Sequence, residues 1–86
     1  MEGLESVVEP ETGLPAVKLG LIRIGEDGVI YYRPISAYTP QILVIALGIE
    51  ILIQTRRKVK VEGYYLEEEI NRRLEELYEA IGGNAV

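Results

Sequence analysis

The sequence predicts a small α+β domain. Its sheet is mostly antiparallel, built from a hairpin over 17–33 and one or two strands over 49–61, and a C-terminal amphipathic helix over 64–81 packs on it. Three observations carry that expectation. Gly25-Glu26-Asp27-Gly28 separates two runs of strand formers, and Asp-Gly supplies the positive φ a hairpin loop needs. Ile49, Ile51 and Ile53 alternate with Glu50, Leu52 and Gln54, which is the period of a strand. Leu66, Ile70, Leu74, Leu77 and Ile81 recur at helical spacing, so they share one face.

Taken in order, residues 1–16 read as an acidic, flexible arm ahead of a single domain over 17–86. Glu9-Pro10-Glu11-Thr12-Gly13-Leu14-Pro15 opposes both helix and central strand. Val7, Val8 and Leu14 give the arm apolar contacts for docking on a neighbouring surface. Val17 to Ile24 and Val29 to Arg33 form the hairpin, and Pro34 ends it because proline has no N–H for the ladder.

Thr39-Pro40-Gln41 has helix-start chemistry, with Thr as N-cap and Pro at the first helical position. A short helix over 40–47, closed by Gly48, competes there with a strand, because its residues are largely β-branched. Thr55-Arg56-Arg57-Lys58 is a turn or a bend, so 49–61 is either a second hairpin or one long strand. In the last helix Glu67-Glu68-Glu69 occupies the first turn, where the dipole favours anions. Glu68–Arg72 and Glu69–Arg73 are acid-before-base pairs, and Gly82-Gly83 stops the helix before a short tail, Asn84-Ala85-Val86.

Composition narrows function by exclusion. The chain has 86 residues and neither Cys nor His. That removes disulfides, a thiolate nucleophile, the usual general base and the commonest metal ligands. No catalytic residue, metal ligand or cofactor site is nominated, and a non-enzyme is expected. Glu50 interrupts an apolar run and is the one carboxylate worth weighing as an acid or base. An edge-of-core residue reaching solvent or an Arg accounts for it more simply. Glu67, Glu68 and Glu69 point in three directions on a helix and cannot converge on one ion.

The net charge of −5 is unevenly placed, with −4 over 1–27, +3 over 28–63 and −4 over 64–86. Arg56, Arg57, Lys58 and Lys60 form the candidate binding site, a positive patch able to meet phosphate or an acidic protein surface. Tyr31-Tyr32, Tyr38 and Tyr64-Tyr65 offer core and rim aromatics of the kind that anchor interfaces. The glycines match no phosphate-binding loop.

Arg33-Pro34-Ile35-Ser36-Ala37-Tyr38, an apolar segment, then Glu50-Ile51-Leu52-Ile53-Gln54-Thr55-Arg56 and a helix are similar to the first two-thirds of Alba-type archaeal chromatin proteins. Those proteins open a helix with Lys-Pro-x-x-x-Tyr and follow it with a strand ending in a basic turn. The family's closing hairpin has no counterpart after residue 83, and this chain is acidic. The resemblance implies nucleic acid as one partner class to weigh.

With 48% hydrophobic residues in so short a chain, a thin single core leaves apolar surface over, and self-association is the simplest way to bury it. The expected function is therefore a non-catalytic, self-associating structural or interaction subunit, such as a small component of a viral or filament particle. Its homo-oligomer contacts would be strand edges and the stripe Leu66, Ile70, Leu74, Leu77 and Ile81. A nucleic-acid-binding module using the turn 56–60 is the alternative, disfavoured by the acidity. A membrane-associated subunit, with 35–53 as a short apolar anchor and Arg56-Arg57-Lys58 on the cytoplasmic side, is the second alternative. It is disfavoured because the most apolar stretch, Ile42 to Ile53, is too short to span and contains Glu50. Met1-Glu2-Gly3-Leu4-Glu5 lacks a positive n-region, so a cytoplasmic protein is expected. Few heat-labile side chains and 27% charged residues fit a thermophilic source.

Overall fold

A computed structural model describes residues 3–82. The chain is a small α+β domain: a three-stranded mixed sheet with two helices, the C-terminal one packed on the sheet. In chain order the elements are a 3₁₀ turn at Leu4–Ser6, β1 (Ile22–Ile24), β2 (Ile30–Tyr32), α1 (Gln41–Thr55), β3 (Val59–Val61) and α2 (Glu67–Ala80).

The hairpin forms on the turn that the sequence marks. Gly25 donates its N–H to the Val29 carbonyl at 2.8 Å, Asp27 Oδ1 accepts the Val29 N–H at 3.0 Å, and Gly28 takes φ 84°. β1 and β2 pair antiparallel with Arg23 opposite Tyr31. The first strand begins at Ile22 rather than at 17, because residues 16–20 coil through turns that end at Gly20, φ 72°.

The expected strand over 49–53 is replaced by helix. α1 runs unbroken from Gln41 to Thr55, so the helix foreseen at 40–47 neither stops at Gly48 nor gives way to a strand. The alternation of isoleucines there is incidental: the segment is apolar almost all round, and its buried residues Val44, Leu47, Gly48, Ile51 and Leu52 fall at helical spacing. Pro40, not Thr39, takes the N-cap position. Gly48 serves a contact rather than an ending, since a Cβ there would lie 2.5 Å from the Tyr32 hydroxyl oxygen and 2.9 Å from Leu74 Cδ1. The true stop is Arg56, which turns left-handed at φ 58° while its N–H reaches the Leu52 carbonyl at 2.8 Å.

From that turn the chain returns as β3, which pairs parallel to β2 with Lys60 beside Tyr31. The sheet is thus mixed rather than mostly antiparallel, as a helical crossover between neighbouring strands requires. Its strand order is β1-β2-β3. Ile30, Tyr32, Val59 and Val61 are buried against the helices, and Tyr31 and Lys60 lie on the opposite face.

α2 buries Ile70 and Leu74. Its Asn71 side chain accepts the Val61 N–H at 2.7 Å and donates to the Val61 carbonyl at 3.1 Å. One amide thereby pairs both outward backbone groups of Val61 as a neighbouring strand would. Ile81 caps the helix, Gly82 follows with φ 72°, and Gly83 and the tail 84–86 lie outside the described residues.

Residues 3–16 share the core of 17–82, with Leu4, Val7 and Ala16 buried in the same cluster as Ile51, Leu52 and Ile70. Val8 and Pro15 bridge, Ala16 donates to the Val7 carbonyl at 3.0 Å, and the buried Glu9 accepts the Thr12 N–H at 2.7 Å. The Pro- and Gly-rich stretch is the loop of this small clasp, and α1 is the surface it docks on.

Candidate interaction surface

α1 positions the least finished surface of the molecule. One side of it faces the sheet and α2, and its Glu50 Oε2 accepts the Val8 N–H at 3.1 Å on the N-terminal side. Between those neighbours Ile42, Ala46 and Ile53 are exposed, Ile42 at 73% and Ile53 at 59%, with Ile45 and Ile49 half-buried beside them. Spacings of four and three residues keep Ile42, Ala46, Ile49 and Ile53 on one stripe. Charged side chains are absent from the stripe itself; Glu50 sits at its border, turned to the N-terminal clasp. At the start of α1, Tyr38 and Tyr65 are 93% and 80% exposed, and Pro40 and Gln41 line a depression with them.

The basic residues divide three ways. Arg56 and Arg57 are exposed at the end of α1, where the Thr55 hydroxyl donates to the Ile51 carbonyl and accepts the Arg57 N–H. The Arg57 guanidinium lies over the β1–β2 turn, close enough that a Cβ at Gly28 would be 3.3 Å from it. Lys58 turns to α2, where it pairs with Glu75 at 3.5 Å and lies 5.9 Å above the Tyr78 ring. Lys60 stands on the far face of the sheet beside Tyr31. The expected four-residue patch is therefore a two-residue one, Arg56 and Arg57, with Lys58 and Lys60 directed elsewhere.

The open face of the sheet is internally paired. Arg23 meets Glu62 through two hydrogen bonds of 2.9 Å and its guanidinium lies 4.2 Å from the Tyr31 ring centroid. The Tyr31 hydroxyl donates to Asp27 at 3.0 Å. The Arg23 hydrogen bonds hold Glu62 below the usual carboxylate range. The Val29 N–H and the Tyr31 hydroxyl do the same for Asp27, and the Asp27 acceptor raises the Tyr31 phenol.

The stripe on α2 is spent differently from the expectation. Ile70 and Leu74 are core residues of this chain and Leu66 packs against that core, which leaves Leu77 and Ile81, each 37% exposed. Of the strand edges, β3 has its Val61 groups taken by Asn71 and β1 is three residues long. Glu50, weighed as an acid or base, acts as a backbone acceptor. Tyr64 is buried, which raises its phenol, and its hydroxyl donates to the Thr39 carbonyl at 2.6 Å. Among the described residues no three His, Cys, Asp or Glu are grouped to hold a metal ion, and no helix is long and apolar enough to cross a membrane.

The face of α1 escapes a reading by alternation, since a strand assignment scatters its isoleucines over two faces. The available signal is composition: Thr39-Pro40 opens a run of about four turns with a single charge, too apolar for one buried side to use up.

The chain matches no family model and no solved structure. The likeness to Alba-type proteins is not sustained by the fold, since Glu50 to Thr55, where that family's strand would follow its helix, is the last part of α1. A relative is the Uncharacterized protein MJ1129 of Methanocaldococcus jannaschii, 27% identical over 86 aligned positions that cover 88% of this chain and 90% of that protein.

Proposed function

We propose that this chain is a non-catalytic, self-associating structural or interaction subunit that works in the cytoplasm, and that α1 carries the association. The observation behind this reading is the uncharged stripe Ile42-Ala46-Ile49-Ile53, exposed at Ile42, Ala46 and Ile53 and half-buried at Ile49, on a helix whose remaining sides are already packed. Contiguous apolar surface of this kind marks interaction sites on small proteins. A small component of a larger particle remains the natural setting. The test is native mass by size-exclusion chromatography with light scattering, at low and high salt. A defined oligomer at both salts is expected, because burial of isoleucine is not screened. A monomer at both salts at high protein concentration overturns the reading.

A second reading, nucleic-acid binding, is favoured by Arg56 and Arg57, which are exposed at one turn and enter no ion pair among the described residues. Two arginines make few phosphate contacts, so affinity should be weak and fall steeply with salt. Fluorescence anisotropy with a labelled duplex and a labelled single strand, from low to physiological salt, checks it. Absence of binding at low salt eliminates this alternative.

A further inference from the structure

We infer that the partner on α1 is a second copy of this chain, docked antiparallel about a two-fold axis so that the Arg56–Arg57 end of one α1 meets the Glu69 end of the other. The inference rests on self-association as proposed above and specifies its geometry.

Two features of the stripe argue for that orientation. The first is size. Reversing one α1 against another sets Ile42 opposite the partner's Ile53 and Ala46 opposite the partner's Ile49. Large meets large at the ends, and small meets large on either side of the axis. An isologous contact must be self-complementary in this way, and Ala46 gives the facing isoleucine a hole to enter, as ridge-and-groove packing needs.

The second is charge. α1 and α2 run side by side in the same direction: Gln41 Nε2 reaches Glu69 at 3.4 Å at the start, and Leu74 lies over Gly48 midway. The start of α1 is therefore acidic, through Glu69 at the first turns of α2, while its end is basic, through Arg56 and Arg57. A parallel arrangement would bring like ends together at both sites. The antiparallel one places Arg56 and Arg57 near the partner's Glu69 and the partner's Tyr38, whose exposed ring is a fitting seat for a guanidinium. The two ends are equivalent by symmetry, so each charge pair counts twice.

Charge reversal followed by mixing tests this. One variant carries Arg56→Glu and Arg57→Glu, and the other carries Glu69→Lys; all three positions are exposed, and circular dichroism confirms the fold of each. Sedimentation equilibrium at low salt should show each variant alone associating roughly tenfold more weakly than the wild type or worse. An equimolar mixture should restore dimers, because the all-acidic ends of one then face the all-basic ends of the other. Native mass spectrometry reads the mixed dimer directly. A wild type that dimerises while the mixture gains nothing over the separate variants overturns the antiparallel geometry and leaves self-association standing. A wild type that is monomeric, or whose apolar face binds lipid vesicles instead, overturns both.

Discussion

The Tyr32 hydroxyl, at the end of β2, donates a 2.6 Å hydrogen bond to the Val44 carbonyl inside α1. The bond ties the centre of the sheet to the helix that crosses over it, and it fits because Gly48, one turn on, has no side chain. Together with the burial of Val44, Leu47, Ile51 and Leu52 it seats α1 on the sheet and turns the isoleucine stripe outward.

Gly48→Ala should therefore destabilise the fold, although alanine is the better helix former by about 1 kcal/mol. A Cβ 2.5 Å from the Tyr32 oxygen and 2.9 Å from Leu74 forces a shift of buried groups, for which overpacking costs of about 1–3 kcal/mol are usual. Chemical denaturation should show a lower midpoint for Gly48→Ala. Combining it with Tyr32→Phe should recover part of the loss, since the clashing oxygen is then gone.

Burial raises the Tyr32 phenol well above its ordinary value near 10. The folded state favours the protonated form, so the associated stability is fully present below about pH 10. It is lost as pH rises above that value, because the unfolded chain ionises first. Tyr32→Phe should cost about 0.5–1.5 kcal/mol at neutral pH through the lost hydrogen bond. It should also flatten the alkaline limb of a stability–pH curve; an unchanged slope between pH 10 and 12 contradicts the assignment.

Asn71→Leu should open the outer edge of β3. Both Val61 backbone groups lose their partner, at a cost of about 1–3 kcal/mol if they stay dry. Faster hydrogen exchange at the Val61 amide, with the Ile30 amide less affected, is the expected local signature. The freed edge should also raise the tendency to aggregate.

The network on the open sheet face makes an acid-side prediction of opposite sign. Asp27 and Glu62 are both held below their ordinary range. Their contribution is present above the unfolded carboxylate values and is lost as pH falls through the lower folded ones. Tyr31→Phe removes a donor to Asp27, and Arg23→Gln removes the charge facing Glu62, so each should flatten the acid limb. Both groups lie at the surface, so the effect should be small and should shrink further in salt.

What the sequence reveals follows its physical asymmetry. α2 is legible because Glu and Arg on one side and Leu and Ile on the other leave a single solution, and the β-turn is legible because Asp27-Gly28 has few alternatives. α1 is ambiguous for the opposite reason: with nearly every residue apolar, periods of 2 and 3.6 fit alike, and Gly48 imitates a helix end. The docking of residues 3–16 is hidden because Glu50 and Val8 are far apart in sequence, and Pro10, Gly13 and Pro15 shape a clasp as readily as a free arm. The basic patch divides because α1 ends at Arg56, which sends Lys58 to α2 and Lys60 to the sheet.

Sedimentation velocity of the wild type beside Ile53→Glu, across a wide concentration range, tests the interface on α1 most directly. Ile53 is exposed, so the substitution should leave circular dichroism and the unfolding midpoint nearly unchanged. The wild type should sediment as a dimer or larger species and the variant as a monomer. A variant that assembles as the wild type does, or a wild type that stays monomeric throughout, contradicts the interface proposed on α1.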